Sequence, residues 1–557
     1  MKIQPRYLTL DDLLKNRLFR IPVYQRAYSW DKKQRADLFG DIRATASGSE
    51  LTHFMATVVG LKREIKQVVT DEFVLLDVVD GQQRLTTLVI LLKCIELALD
   101  HDDAVQGRLA AQLRGQLVKQ DDASLLLLQS NHDYKSFFCE FVRNGTIPDA
   151  NQVEMLADRA MADAIKECQR FVRDFNDPVR LTAVLKNRLA FILHEIEDEA
   201  SVYTVFEVLN SRGLAVPWLD RLKSMLMAVA FEDRSGNKVE HIEELHNIWK
   251  RIYRCIGRRQ GLGSEAVRFA ATLWTRGSRS RLFGEADAVA ALRDRANSKA
   301  AGAIEVSRWL ERVTGAVDHV LSERGRSAVT RIGHARLLAV AVSLSEHSSA
   351  DRERILDQWE RTTFRVFGMS RRDARTGVGD YVRLAQEVFR GLTADSVLGE
   401  LRKVGAGQFS TESAVKELFD TNCYEGWEEA LRYFMFAYEE HLAKEAGQRF
   451  SNEQWERLWE ASAAKSIEHI HPQSRGANVS VDTGIFVHRL GNLTLLPPGL
   501  NSQLQDKPAN EKFESYRSTG LLGATEVSTH RGQWDRAAVE DRENRLIEWA
   551  KIRWADC

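Results

Sequence analysis

The chain is short of cysteine, proline and long apolar runs, and each shortage removes a class of protein. Its six cysteines (Cys94, Cys139, Cys168, Cys255, Cys423 and Cys557) form no C-x-x-C pair, and none stands at zinc-finger spacing from a histidine. That argues against a structural zinc and against a disulfide scaffold, and it fits a reducing, cytoplasmic compartment. No stretch of about 18 apolar residues occurs, which leaves no helical membrane span, and the opening MKIQPRYLTLDDLL has no signal-peptide core. Neither sign of charge is in excess: 78 Lys and Arg oppose 79 Asp and Glu. Any nucleic-acid surface must therefore be a local basic patch. The sequence has no clean internal repeat, no low-complexity tract and no Walker-type loop with its lysine.

With 557 residues, the chain exceeds one hydrophobic core, and its length suggests roughly three to four domains. HFMATVVGL (53–61) and FVLLDVVD (73–80) are short, rich in Val and Leu and bounded by polar turns, which reads as strand. RLTTLVILLKCIELALD follows at once, with Leu85, Leu88, Leu92, Ile95 and Leu99 spaced for one face of a helix. The start of the chain is thus α/β. From about 105 to 448 the pattern reads as mostly helical, as around 160–175 and 241–256. Arginine clusters punctuate it: Arg251, Arg254, Arg258 and Arg259; Arg276, Arg279 and Arg281; Arg371, Arg372 and Arg375. Such clusters are either solvated helix ends or phosphate-binding faces.

The last hundred residues carry the most legible chemistry. SIEHIHPQS places Glu468, His469 and His471 in a β-like alternation; HRLGNLTLLPPGLNSQ then supplies Asn492 and Asn501, and a helical QLQDKPANEKFESY carries Lys507 and Lys512. Strand, loop, strand and helix in that order suit a ββα-metal site. Phosphodiester hydrolysis needs a base to activate water and a cation at the scissile phosphate. His469 suits the base, because imidazole titrates near neutrality. Glu468 and Asn501 offer hard oxygens for Mg²⁺ or Mn²⁺. Asn492, in a Gly-Asn turn, is placed to hold the loop and His469, and Lys512 to contact a DNA phosphate. Taken singly, a surface strand and a turn would present the same residues.

At the other end, Asp80-Gly81-Gln82-Gln83-Arg84 stands where a strand gives way to a helix. Free backbone N–H groups at such a junction favour an anion, and Arg84 adds a cation; an N-cap and turn is the plainer alternative. Upstream, IPVYQRAYSW interleaves Tyr24, Tyr28 and Trp30 with Gln25 and Arg26, a pattern able to stack on a base or to fill a core. FEVLNSRG (206–213) carries Asn210 and Arg212, with Asp220 and Lys223 downstream.

Together these segments resemble the GmrSD-type, type IV restriction endonuclease family: "IP-x-YQR-x-Y-x-W", "DGQQR" and "FE-x-LN-x-RG…D…K", then "IEHI-x-PQ", "LGNLTLL" and "LN" before a lysine-bearing helix. The resemblance covers roughly residues 10–230 and 465–515. It implies a multidomain, mostly helical α+β protein. A ParB-like α/β domain for nucleotide binding and modification sensing would occupy residues 1–230. A helical connector (231–412) and an HNH nuclease embedded in helices (413–557) would follow. By that resemblance His469, Asn492 and Asn501 take the three HNH positions, His471 falls at a variable one, and Asp80 to Arg84 serve nucleotide binding or hydrolysis. Tyr24, Gln25, Arg26, Asn210, Arg212, Asp220 and Lys223 would line the same or a sensing pocket. The implied partners are modified phage DNA and a nucleoside triphosphate (NTP), with no membrane and with a homodimer left open. A nucleotide-regulated RNA-cleaving toxin, or a DNA-binding regulator with degenerate sites, are the readings that compete with a DNA endonuclease.

Overall fold

The Val- and Leu-rich segments on either side of residue 70 pair as a long antiparallel hairpin, His53–Val68 with Asp71–Asp80. The computed structural model describes residues 5–22, 25, 27–48, 52–68, 70–119, 126–130, 135–146, 156–197, 217–232, 238–257, 261–323, 329, 331–449, 455, 458–459, 462–473, 486–531 and 533–557. In chain order its strands are β1 (Pro5–Thr9), β2 (Arg17–Ile21), β3 (His53–Val68), β4 (Asp71–Asp80), β5 (Leu128–Ser130), β6 (Leu189–Ile196), β7 (Ile467–His469) and β8 (Leu493–Leu495). Two compact units result: Met1–Ala271 with Phe283–Asp318, and Thr272–Leu282 with His319–Cys557.

The first unit is built on a six-stranded mixed sheet in the order β1-β6-β3-β4-β2-β5. Its first five-residue strand runs antiparallel to β6, whereas β6 runs parallel to β3 and β2 parallel to β4. β6 is a departure from the helical reading of 105–448. LAFILHEI buries Leu189, Ala190, Phe191, Leu193 and Ile196 and lies as an inner strand between β1 and β3. Helix Gln82–Ala98 leaves the end of β4 and is buried on all sides, with Val89, Ile90 and Leu91 as deep as the expected Leu85–Leu88–Leu92 face. A helix apolar all round belongs in the core, not on the surface. Leu76 and Val78 of β4 pack into the same core as this helix.

In the second unit, β7 and β8 form a short antiparallel ladder, with Glu468 opposite Thr494 and His469 opposite Leu493. Helices Ala509–Arg517 and Arg536–Arg553 follow it in the chain. The second of these runs so close to the Leu490–Asn492 turn that a Cβ on Gly491 would collide with Val539 O. Only glycine fits where two backbones approach this closely. The ladder shares its core with Phe434, Tyr516 and Trp554. Among the described residues, no helix is long and apolar enough to cross a membrane.

Candidate functional site

In the second unit the site is assembled around β7. Glu468 (3% exposed) faces helix Ala509–Arg517, where the fully buried Lys512 donates from Nζ to Glu468 Oε1 (2.6 Å) and to His469 O (2.8 Å). Tyr516 donates its hydroxyl to the same carboxylate oxygen (2.8 Å). Burial pushes the Glu468 carboxyl above its ordinary range, and the Lys512 ammonium and Tyr516 hydroxyl pull it back. Lys512 is thus turned inward. An ammonium with no exposed surface and two protein acceptors positions a carboxylate and the backbone at His469, which corrects its expected place on a DNA phosphate.

His469 stands at the end of the strand. Its imidazole is pushed down to about 3, first by burial and then by His488 and Lys512, so its ring is neutral at physiological pH. The His469 Nε2 lies 3.1 Å from His488 Nδ1, and the Gln473 amide nitrogen comes within 3.2 Å of the ring. Tyr424 lies parallel to His488, with centroids 5.4 Å apart, and meets His469 edge-on at 4.5 Å.

Asn492 uses its whole amide. Its Nδ2 donates to His471 O (3.1 Å) and Val487 O (2.9 Å), while its Oδ1 accepts from His471 N (2.8 Å) and Trp534 Nε1 (3.1 Å). Those four bonds saturate a carboxamide, and they bind the chain leaving β7 to the turn entering β8. Arg542 braces that turn from behind, donating to Gly491 O and Leu493 O. Asn501 donates to Lys465 O (3.0 Å) and Ile467 O (2.8 Å), which fixes its amide beside the residue preceding Glu468. The structure therefore brings Glu468, His469, Asn492, Asn501 and Lys512 together around one ladder. His471 reaches Asn492 through its backbone, and its ring meets Phe486.

Two hard oxygen donors, a carboxylate and an amide carbonyl, flank the start of β7. They are oxygens of the kind Mg²⁺ or Mn²⁺ takes, although Glu468 Oε1 is already held by Lys512 and Tyr516. They do not make a closed structural site: among the described residues no group of three His, Cys, Asp or Glu side chains could hold a metal.

In the first unit, Gly81 adopts φ 89° between Asp80 and helix Gln82–Ala98. A Cβ there would lie 3.2 Å from Thr57 O, so both conformation and space call for glycine. Gln83 turns away from the junction and clamps the preceding loop, accepting from Ser29 N (2.8 Å) and donating to Ala27 O (3.1 Å). Gln25 likewise donates to Val79 O (3.1 Å). Tyr28, 2% exposed and bonded to Thr87 Oγ1 (2.9 Å), is core, not a stacking platform. The Arg84 guanidinium lies over the Trp30 ring (5.5 Å), and its Nε is buried without a hydrogen-bond partner. Burial holds Arg84 below its ordinary pKa, against the pull of Asp80 and Asp41. A desolvated guanidinium with an unused N–H, at a strand-to-helix junction, fits a phosphate group.

Asp220 accepts from Tyr253 Oη (2.5 Å), and Lys223 lies over the Tyr253 ring (5.2 Å). Burial lowers Lys223 to about 7, with Asp220 opposing. Nearby His246 is lowered to about 4 by burial, Lys223 and Arg63, with Asp77 opposing. Asp77 is itself bound by Arg20 (2.5 Å) and Arg63 (2.6 Å). Tyr24, Arg26, Asn210 and Arg212 lie outside the described residues, as do Arg258 and Arg259. Of the arginine clusters, Arg251 is paired with Glu311 (2.5 Å). Arg371, Arg372 and Arg375 are exposed, with Arg371 over Trp427 and Arg372 over Phe409.

His488, Tyr424, Tyr516 and His246 escaped the sequence reading. His488 alone carried a signal, four residues before Asn492, and a histidine near a turn is commonplace without its spatial partner. The chain matches the model of the GmrSD restriction endonuclease N-terminal domain over residues 10–227 and that of the GmrSD restriction endonuclease C-terminal domain over residues 410–549. No curated protein matches it.

Proposed function

We propose a specific mechanism for a chain that belongs to the GmrSD restriction endonuclease family and is accordingly a type IV restriction enzyme acting on DNA. On this reading it is a modification-dependent endonuclease of bacterial anti-phage defence, in which an N-terminal NTP site regulates a C-terminal HNH nuclease. The observation that carries the nuclease half is the placement of His469: an imidazole at a strand end, its backbone held by Lys512 and its exit loop by Asn492.

His469 takes a proton from the attacking water. Asn492 keeps the loop in place while that happens, and Lys512 with Tyr516 orients the Glu468 carboxylate. Glu468 and Asn501 would hold a Mg²⁺ or Mn²⁺, which when bound neutralises charge developing on the scissile phosphate. In the first unit, Gly81 and the first N–H groups of helix Gln82–Ala98 would receive the nucleotide phosphates, with Arg84 supplying the cation and Asp80 beside it. With no Walker-type lysine, slow regulatory hydrolysis suits this junction better than motor activity. Gln83 and Gln25 act by shaping the loop over the junction. Lys223 and Asp220, oriented by Tyr253, are further candidates for nucleotide contact.

One experiment tests both halves: cleavage of matched modified and unmodified DNA, and of RNA, with and without NTP and Mg²⁺. It uses wild type, His469→Ala and Arg84→Ala. His469→Ala should lose cutting by roughly 10²–10⁴-fold and keep NTP turnover, while Arg84→Ala should lose turnover. Cutting by His469→Ala within a few-fold of wild type would overturn the base assignment, and wild-type activity on RNA alone would overturn the DNA-endonuclease reading.

A further inference from the structure

His469 can act as a base only if one ring nitrogen keeps its lone pair facing the water. A neutral imidazole has one N–H and one lone pair, and the partner of one nitrogen decides which the other carries. In this structure His469 Nε2 has two neighbours, His488 Nδ1 at 3.1 Å and the Gln473 amide nitrogen at 3.0 Å, and the same amide lies 3.2 Å from His469 Nδ1. The far side of His488 faces a carboxylate: its Nε2 lies 3.9 Å from Glu425 Oε1. A carboxylate there favours the N–H on His488 Nε2. His488 Nδ1 is then an acceptor, His469 donates from Nε2, and the lone pair of His469 falls on Nδ1, where the Gln473 amide donates to it until an attacking water takes that place.

Resting on the reading of His469 as base, we propose that His488 is the positioning residue that sets its tautomer and ring orientation, with Glu425 setting that of His488.

The surroundings hold the pair in register. Cys423 N donates to His488 O (2.8 Å), tying the His488 backbone to the segment that carries Tyr424 and Glu425. Tyr424 lies within 5° of parallel to His488 and nearly perpendicular to His469, so one ring fixes both imidazole planes. One residue before His488, Val487 O accepts from Asn492 Nδ2. The turn that carries His488 is therefore fastened by the same side chain that fastens the loop after His469. Such outer partners of a reacting histidine commonly contribute about 10–100-fold to activity.

The test measures kcat and KM for DNA cleavage by the full chain carrying His488→Leu, His488→Asn or His488→Gln, with His469→Ala as reference. Asn can place an acceptor where Nδ1 stands, whereas Gln reaches the position of Nε2. His488→Leu should lower kcat by roughly 10–100-fold with KM unchanged, as expected when an interaction matters in the transition state and not in binding. His488→Asn should recover most of that loss, and His488→Gln should not. Should the Leu variant fail to fold, the Asn and Gln variants still decide the matter. Wild-type kcat in His488→Leu, or His488→Gln outperforming His488→Asn, would overturn the inference. Retained cutting by His469→Ala would instead remove the base assignment on which it stands.

Discussion

Replacing Lys512 by Met should destabilise the β7–β8 region strongly, and replacing Glu468 by Gln in the same chain should restore most of the loss. The magnitude follows from burial: Lys512 has no exposed surface and Glu468 has 3%, so water screens neither charge. Removing one member of a buried pair leaves the other uncompensated, which costs about 3–5 kcal/mol. The loss of a donor to His469 O adds about 1 kcal/mol. In the double variant, the amide that replaces the Glu468 carboxylate is uncharged and still accepts from Tyr516, so the deficit should fall to about 1–2 kcal/mol. The effect has a defined pH dependence. Glu468 already titrates above its ordinary range because it is buried, and without Lys512 it rises further. A carboxyl with a raised folded-state pKa binds its proton more tightly folded than unfolded. The deficit is therefore small below the ordinary Glu range, near pH 4, and complete once pH exceeds the folded-state value. Amide hydrogen exchange over residues 490–496 and 509–517 at pH 4 and pH 8, corrected for intrinsic rates, reads the opening free energy locally. A Lys512→Met variant within about 1 kcal/mol of wild type at pH 8 would refute the buried-pair argument. So would a Glu468→Gln change that restores nothing, the result expected if Lys512 served a phosphate.

Asn492→Asp should abolish cutting and leave NTP turnover intact, because a carboxylate would face His471 O and Val487 O where the amide now donates. Two stranded carbonyls at about 1–3 kcal/mol each predict a loss of about 2–6 kcal/mol in the opening free energy of the β7–β8 ladder, measured by the same exchange experiment. Reversing Arg371, Arg372 and Arg375 to Glu should weaken DNA binding and flatten its salt dependence, each lost phosphate contact removing about 0.9 from the slope of log affinity against log salt. Anisotropy titrations at several salt concentrations measure that slope, and an unchanged slope assigns these arginines to a solvated face.

Local patterns carried much of this protein. Strand segments of β3 and β4, the helix after Asp80 and the Glu468–His469 strand were legible because a two- or three-to-four-residue periodicity is a property of neighbours in sequence, whereas the pairing of β3 with β4 was not. The residue types of the candidate site were legible for a related reason: an imidazole and a carboxylate stand within two positions on β7. β6 was not legible, because its partners β1 and β3 lie far away in the chain and the flanking segments read as helix. Side-chain direction was not legible either. Gln83 and Lys512 look like ligand contacts in the sequence, yet one clamps the loop at Ala27 and Ser29 and the other neutralises Glu468. His488 gained a role only when the turn before β8 brought it to His469. The sequence by itself determined which chemical groups are present and which short segments are strand or helix. Tertiary structure alone decided which polar groups are cut off from water and forced to pair, because desolvation depends on everything that packs around a group, and those neighbours come from distant parts of the chain.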